Sequence, residues 1–217
     1  MKLFNYFIAL IAVISVILNI KLLHDRQNPN EATYKVLEVI DGDTFKVEAG
    51  SGERRVRLMA VNAPEAGKCL SDEAREKLSS LVLGKKIVLK DQFSDPYGRI
   101  ISNVYVGNVY VNREMLRLGL GRMDYYENPQ REELKEAYGE ARAKKLGIYS
   151  GVCLSKSPSS ACSIKGNIDG NTRKKIYFLP ACRNYSQVTI DLSTDDTWFC
   201  TEAEAVRAGF VKSQTCN

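Results

Sequence analysis

Histidine is nearly absent from this sequence, and neither sign of charge is in large excess. Its 217 residues include 31 basic and 26 acidic side chains, a net charge of +5, too mild to mark a polyanion binder by bulk charge. The segment from 33 to 150 holds 20 basic and 18 acidic residues, a net of +2. Any phosphate affinity there has to come from where cations are placed. The single histidine, His24, precedes the globular part, so a histidine-containing metal site is excluded from the C-terminal region. The cysteines of that region form no C-x-x-C pair, which weakens a four-cysteine zinc site as the alternative to disulfides.

Charge is also missing between Lys2 and Lys21, where Phe4 to Ile20 is apolar apart from Asn5, Ser15 and Asn19. A buried core helix would keep a polar face. The run instead reads as a signal peptide or an uncleaved signal anchor over residues 1–23. No small-x-small cleavage site and no cysteine for a lipid follow it, which favours the anchor. The remainder is therefore expected outside the cell or at its surface, tethered by or released from this segment.

An apolar content of 44 % supports a packed core. Six cysteines, Cys69, Cys153, Cys162, Cys182, Cys200 and Cys216, make an even number in an exported chain and are disulfide candidates. Cys69 and Cys153 lie outside the tail and are natural partners for each other, while the tail pairing stays open.

Residues 24–32 read as a linker, 33–153 as the main domain, 154–161 as a Ser-rich linker and 162–217 as a small Cys-rich α+β domain. Tyr34 to Ile40, Thr44 to Glu48 and Arg55 to Val61 alternate as strands between Asp-Gly and Gly-Ser-Gly turns. Ser71 is placed to cap a helix that Gly84 stops. Lys86 to Gln92 and Arg99 to Val106 flank an Asp95-Pro96-Tyr97-Gly98 turn of type I form. Val111 to Leu118 reads as a second helix, and Asn128-Pro129 opens a third that ends at Gly147. Five short strands with a helix between the third and fourth predict a mainly β fold, a five-stranded Greek-key barrel of the OB type carrying three helices.

Hydrolysis of a phosphodiester needs a positioned water, a carboxylate for its proton, a hard cation and fixed positive charge on the phosphate oxygens. Asp41-Gly42-Asp43-Thr44 sets two carboxylates at a tight turn, a pattern that is more often only a hairpin turn. Arg57 stands on the face of its strand opposite Val56 and Leu58, where a solvated edge charge is the plain alternative. Asn62-Ala63-Pro64-Glu65 brings a carboxamide, a backbone carbonyl and a carboxylate off a strand end. Arg99 follows the Pro-Tyr-Gly turn, where a guanidinium can meet phosphate bidentately and Tyr97 can stack.

In this order and spacing, Ile40-Asp41-Gly42-Asp43-Thr44, Val56-Arg57-Leu58, Ala63-Pro64-Glu65 and Asp95-Pro96-Tyr97-Gly98-Arg99 resemble the staphylococcal nuclease (thermonuclease) family. The resemblance runs from about residue 34 to 150, through Leu118-Gly119-Leu120-Gly121 to Gly147-Ile148-Tyr149-Ser150, where the family often has Trp in place of Tyr149. It implies an OB-fold endonuclease that takes Ca2+ and cleaves DNA and RNA to 3′-phosphate ends, a monomer with little base specificity and a preference for unpaired strands. By the same resemblance Asp43, Asn62 and the carbonyl of Ala63 are metal ligands. Glu65 is the base, Arg57 and Arg99 bind the phosphate, and Tyr97 and Tyr125 line the nucleotide pocket, with packing on the third helix the alternative for Tyr125.

Asn62 departs from the family, whose active members usually supply aspartate there, so the calcium shell is expected to be one charge short. Ala63 replaces a threonine but offers the same backbone carbonyl. A barrel that binds nucleic acid with weakened catalysis is the alternative function, and a surface interaction protein is a third. In the tail, Cys162 to Ile168, Lys175 to Pro180, Trp198 to Ala205 and Ala208-Gly209-Phe210 resemble the small "sunset" domain, with Phe178 where that family commonly has histidine. Thr201 and Glu204 form a capping box there, with Trp198 and Phe199 expected in the core beneath the helix.

Overall fold

The computed structural model describes residues 32–50, 52–124, 127–169 and 172–216, together with Ser15. The expected anchor, the linker that holds His24, and Tyr125 lie outside these residues, save Ser15 and Ala32. Among the described residues no helix is long and apolar enough to cross a membrane.

Alternation of apolar and polar residues builds the barrel strands. β1 (Thr33–Val39), β2 (Thr44–Ala49) and β3 (Gly52–Leu58) form an antiparallel meander, with Thr44 opposite Arg57 and Ala49 opposite Gly52. A helix, α1 (Ser71–Val82), separates β3 from β4 (Lys86–Ser94) and β5 (Ile100–Val106), which pair antiparallel. β4 also lies beside β1, and β5 runs parallel to β3 from Val56↔Ile100 to Leu58↔Ser102. This last pairing closes five strands into a barrel of the expected OB type. Phe45, Val47, Val56, Leu58, Ile87 and Val104 fill it and are buried with Leu78 and Val82 of α1.

The remaining helices seal the barrel. α2 (Val111–Arg117) contributes Met115 and Leu116 to the core, and α3 (Arg131–Ala143) contributes Leu134 and Ala137. Asn112 is wholly buried, yet every polar atom is used: its amide donates to the carbonyls of Met59 (2.9 Å) and Ser102 (3.1 Å), and its oxygen accepts from Val104 N (2.9 Å). Full satisfaction is what makes such a polar core group tolerable.

Three boundaries differ from expectation. The third strand was expected over 55–61, but it stops at Leu58 because Ala60 adopts a left-handed φ of 60°. Val61–Asn62 then joins a separate short ladder with Arg122–Met123. Ser71 is the first helical residue, not the cap; Leu70 holds the cap position at φ 64° with no side-chain bond. The third helix begins at Arg131 and ends at Ala143, since Asn128 closes a preceding turn by accepting from Gln130 N (2.8 Å) and Lys145 turns left-handed at φ 54°.

The C-terminal region has its own sheet and core. β6 (Ile164–Ile168), β7 (Lys175–Phe178), β8 (Thr197–Phe199) and β9 (Val211–Lys212) lie in the order β8-β6-β7-β9. Ile164, Tyr177, Phe199, Ala205 and Phe210 pack together, and Phe199 meets Phe210 edge to face at 5.1 Å. The capping box of Thr201 and Glu204 opens α4 (Glu202–Arg207) as expected. Trp198 is only half-buried and donates to Ser155 Oγ (3.3 Å), so it is not the core residue that was expected.

All six cysteines are bridged: Cys69 with Cys153, Cys162 with Cys200, and Cys182 with Cys216. The first pair is the expected one, and the other two leave no thiolate for zinc.

Candidate active site

The Asp41-Gly42-Asp43-Thr44 turn is built by its first carboxylate. Asp41 Oδ1 accepts from Asp43 N (2.9 Å) and Thr44 N (2.7 Å), the side-chain-to-backbone closure that favours Asp in turns. Asp41 is thereby the scaffold of the turn. Asp43, 2 % exposed, is what the turn delivers inward.

Gly42 allows this placement. A Cβ added there would lie 2.6 Å from the Cβ of both Ala63 and Ala74, nearer than carbon atoms can approach. The turn therefore sits directly on the Asn62–Glu65 loop and on α1. Gly121 does the same on the other side, where an added Cβ would fall 2.9 Å from Val61 Cγ1, and so lets the short ladder through Asn62 form.

Around Asp43 the expected residues come together. Its Oδ1 accepts from Thr44 Oγ1 (2.8 Å) and from Arg57, and its Oδ2 accepts from Ala63 N (2.9 Å). The second terminal nitrogen of Arg57 donates to Asn62 Oδ1 (2.8 Å). One guanidinium thus joins the carboxylate and carboxamide expected as metal ligands, nineteen residues apart in the chain. Arg57 is not a solvated edge charge: its side chain is 12 % exposed, and its strand is paired on both sides.

Burial pushes the Asp43 carboxyl up to about 7, against the pull of Arg57, with the nearby Asp41 charge adding to the rise. The donors here are all oxygen, which suits a hard cation such as calcium. They are lean in charge, since among the described residues no three His, Cys, Asp or Glu side chains gather at one point. Asp43 and Asn62 Oδ1, which Arg57 joins, and the carbonyl of Ala63 are the oxygens that could hold such a cation.

Glu65 is exposed, and among the described residues its side chain has no hydrogen bond or ion pair. It does not bond to the Asp43 cluster, but it lines the same cleft of about 620 Å³ as Asn62 and Ala63. Arg99 is held in its own turn and, among the described residues, bonds neither to the Asp43 cluster nor to the residues lining this cleft. Asp95 caps its turn, taking Tyr97 N and Arg99 N (both 2.9 Å) on Oδ1 and Arg99 Nε (2.7 Å) on Oδ2. Arg99 stands one residue before β5, the strand whose Ile101 pairs with Arg57. The guanidinium of Arg99 lies 5.4 Å from the centroid of the Tyr97 ring, which is 84 % exposed.

Sequence reasoning missed Lys68, Arg122, Asp191 and Asp195, which line the cleft beside Glu65. The last two come from the Cys-rich tail, and no spacing in the sequence points to them.

The chain matches the family described as staphylococcal nuclease homologue over residues 55–151. A thermonuclease of Staphylococcus hyicus is 30 % identical over 135 residues, covering 57 % of this chain and 79 % of its own. A micrococcal nuclease of Shigella flexneri is 30 % identical over 126 residues, 54 % of this chain and 72 % of its own. An uncharacterized endonuclease of Escherichia coli is 32 % identical over 117 residues, 54 % and 76 % respectively. With most of three relatives' length matched, and with the barrel and turns already described, this chain belongs to the staphylococcal nuclease family.

Proposed function

We propose that this protein is an endonuclease that hydrolyses DNA and RNA to 3′-phosphate ends with the help of calcium, acting as a monomer outside the cell or at its surface. The observation that carries the reading is the Arg57 fork, which joins Asp43 to Asn62, and Asn62 lines the same cleft as Glu65. Membership of a family whose relatives are called thermonuclease, micrococcal nuclease and endonuclease supports it.

Asp43, Asn62 and the Ala63 carbonyl would hold the calcium, which supplies electrostatic stabilisation of the phosphate and a template for it. The uncommitted carboxylate of Glu65 takes a proton from the attacking water. Arg57 and Arg99 carry the fixed positive charge that meets the phosphate as charge builds on it. The exposed face of Tyr97 accepts a base or sugar without regard to sequence, the role proposed for Tyr125 as well. An unpaired strand suits such a platform because its bases are free to stack. Residues 33–153 would form the nuclease domain and 162–217 a small Cys-rich domain, with residues 1–23 the anchor or leader.

The purified protein is to be incubated with single-stranded DNA, duplex DNA and RNA, with calcium or with a chelator. Calcium-dependent shortening to 3′-phosphate products is expected, with loss of cleavage in Glu65→Gln and Arg99→Ala. Binding without cleavage at any calcium concentration would replace the enzyme by the weakened binding module.

A further inference from the structure

The loop that carries Asn62, Ala63 and Glu65 is held from the outside by the Cys-rich tail. At its start, Asn62 pairs with Arg122 across the short ladder. The Arg122 guanidinium donates from one nitrogen to Asp191 Oδ2 (2.7 Å) and to Ser193 Oγ (2.6 Å). Beyond its end, Cys69 N donates to Leu192 O (3.0 Å), while Leu192 N donates to Cys153 O (2.8 Å). Leu192 is therefore stitched to both cysteines of one disulfide, one residue after Asp191. Lys68, whose amide donates to Glu65 O (2.9 Å), pairs through Nζ with Asp195 (2.8 Å).

These attachments are not equal. Lys68 and Asp195 are 33 % and 62 % exposed, the kind of pair that water screens to little net effect. Arg122 and Asp191 are 27 % and 23 % exposed. Asp191 is itself fixed: its Oδ1 accepts from Ser193 N (2.9 Å) and Oγ (2.5 Å), and its backbone pairs with Leu154. A guanidinium held by an immobile carboxylate is a directional tie, not a diffuse charge contact.

We infer that Asp191 is a positioning residue: through Arg122 it fixes the strand end at Asn62, and so sets the cation ligands and Glu65 relative to each other. The inference rests on the proposed nuclease site and extends it to the tail. Among the described residues no tail side chain is hydrogen-bonded to Asp43, Arg57 or Asn62. Its contribution is to remove freedom from the loop, and small displacements of catalytic groups carry large rate penalties.

The test uses the full chain. Kinetics, calcium titration and amide hydrogen exchange are compared for the wild type, Asp191→Asn and Asp191→Glu. Asp191→Asn is expected to lower kcat by roughly tenfold with KM little changed, as for residues that orient metal ligands. It is also expected to raise the calcium midpoint and speed exchange over residues 62–70, with Asp191→Glu recovering part of kcat. An unchanged kcat with a lower KM would mean that the freed Arg122 merely attracts phosphate, and overturns the inference. Unaltered exchange over residues 62–70 overturns it too. Should Asp191→Asn be recovered unfolded, Arg122→Lys takes its place, since it keeps the charge and loses the directional guanidinium. If the wild type cleaves nothing with calcium, the nuclease reading fails, and the exchange measurement still decides whether Asp191 tethers the loop.

Discussion

Arg57 donates to the carboxamide oxygen of Asn62 at 2.8 Å while its other terminal nitrogen holds Asp43. The arginine expected on the phosphate and the two side chains expected on the cation thus form one unit. A neutral amide in that unit leaves Asp43 as its one formal negative charge.

Asn62→Asp adds the missing charge without changing the side chain's length. The calcium concentration for half-maximal cleavage is expected to fall by roughly tenfold, because oxygen-site affinity follows the number of charged ligands. Titrating calcium against both proteins decides it; an identical midpoint would remove residue 62 from the cation site.

Arg57→Lys keeps a positive charge near Asp43 and loses the fork that spans to Asn62. Turnover is expected to fall by about a hundredfold, as when one preorganised donor is removed from a developing charge. Single-turnover cleavage at saturating calcium reads this directly. Retention of more than half the wild-type rate would show that Arg57 acts by charge alone.

Gly42→Ala forces a methyl to within 2.6 Å of two other methyls, those of Ala63 and Ala74. One belongs to the loop and the other to α1, so neither moves aside cheaply. Overpacking of this kind costs about 1–3 kcal/mol, and the loop carrying Asn62 and Glu65 must shift. Denaturant unfolding and calcium titration should both change; a variant as stable as the wild type would show that the turn is not seated on the loop.

Asp95 gives a pH signature to the Arg99 turn. Burial raises its carboxyl, but the Arg99 N–H, the Arg99 guanidinium and the Tyr97 N–H together outweigh this and hold it below the usual range. A carboxyl lowered in the folded state adds stability that is present above its unfolded pKa and is lost as pH falls through the folded one. The difference in unfolding free energy between the wild type and Asp95→Asn should therefore shrink below about pH 4. In cleavage assays Asp95→Ala should act mainly on kcat, since Arg99 keeps its charge but loses the holder that aims it. A pH-independent difference would exclude the carboxylate's charge as the cause.

The Cys69–Cys153 bridge closes a separation of 84 residues. Replacing both cysteines by serine should cost about 2–5 kcal/mol in unfolding free energy. Because Cys69 N and Cys153 O also hold Leu192, the same variant should loosen the tail, read as faster amide exchange around residues 190–193. Equal stability of the two proteins would show that the hydrogen bonds suffice without the bridge.

The barrel was legible because its strands alternate and its turns carry specific residues, Asp41-Gly42 and Asp95-Pro96-Tyr97-Gly98. The end of the third strand was not, since Ala60 turns left-handed only because Met59, Asn112 and Asp124 hold the backbone on either side of it through hydrogen bonds. Ser71 was read as a cap from its residue type, yet the Lys68–Ser71 turn delivers the chain with Leu70 in the cap position. Helix caps depend on the path of the incoming chain, and local preference does not encode it.

The sequence alone supplied the candidates for chemistry: turn residues, strand alternation and the order of motifs that carries the family resemblance point to Asp43, Arg57, Asn62, Glu65 and Arg99, and all of these signals are local. Tertiary structure decided how they are joined. Arg57 bridges Asp43 and Asn62 because the antiparallel β2–β3 register sets it opposite Thr44, next to Asp43, while the left-handed turn at Ala60 brings Asn62 back toward it. Asp191 reaches Arg122, 69 residues earlier, because a disulfide and two backbone hydrogen bonds draw the tail against the loop. Contacts across such separations leave no period or spacing in a chain, and they exist only once the barrel has closed and the tail has docked.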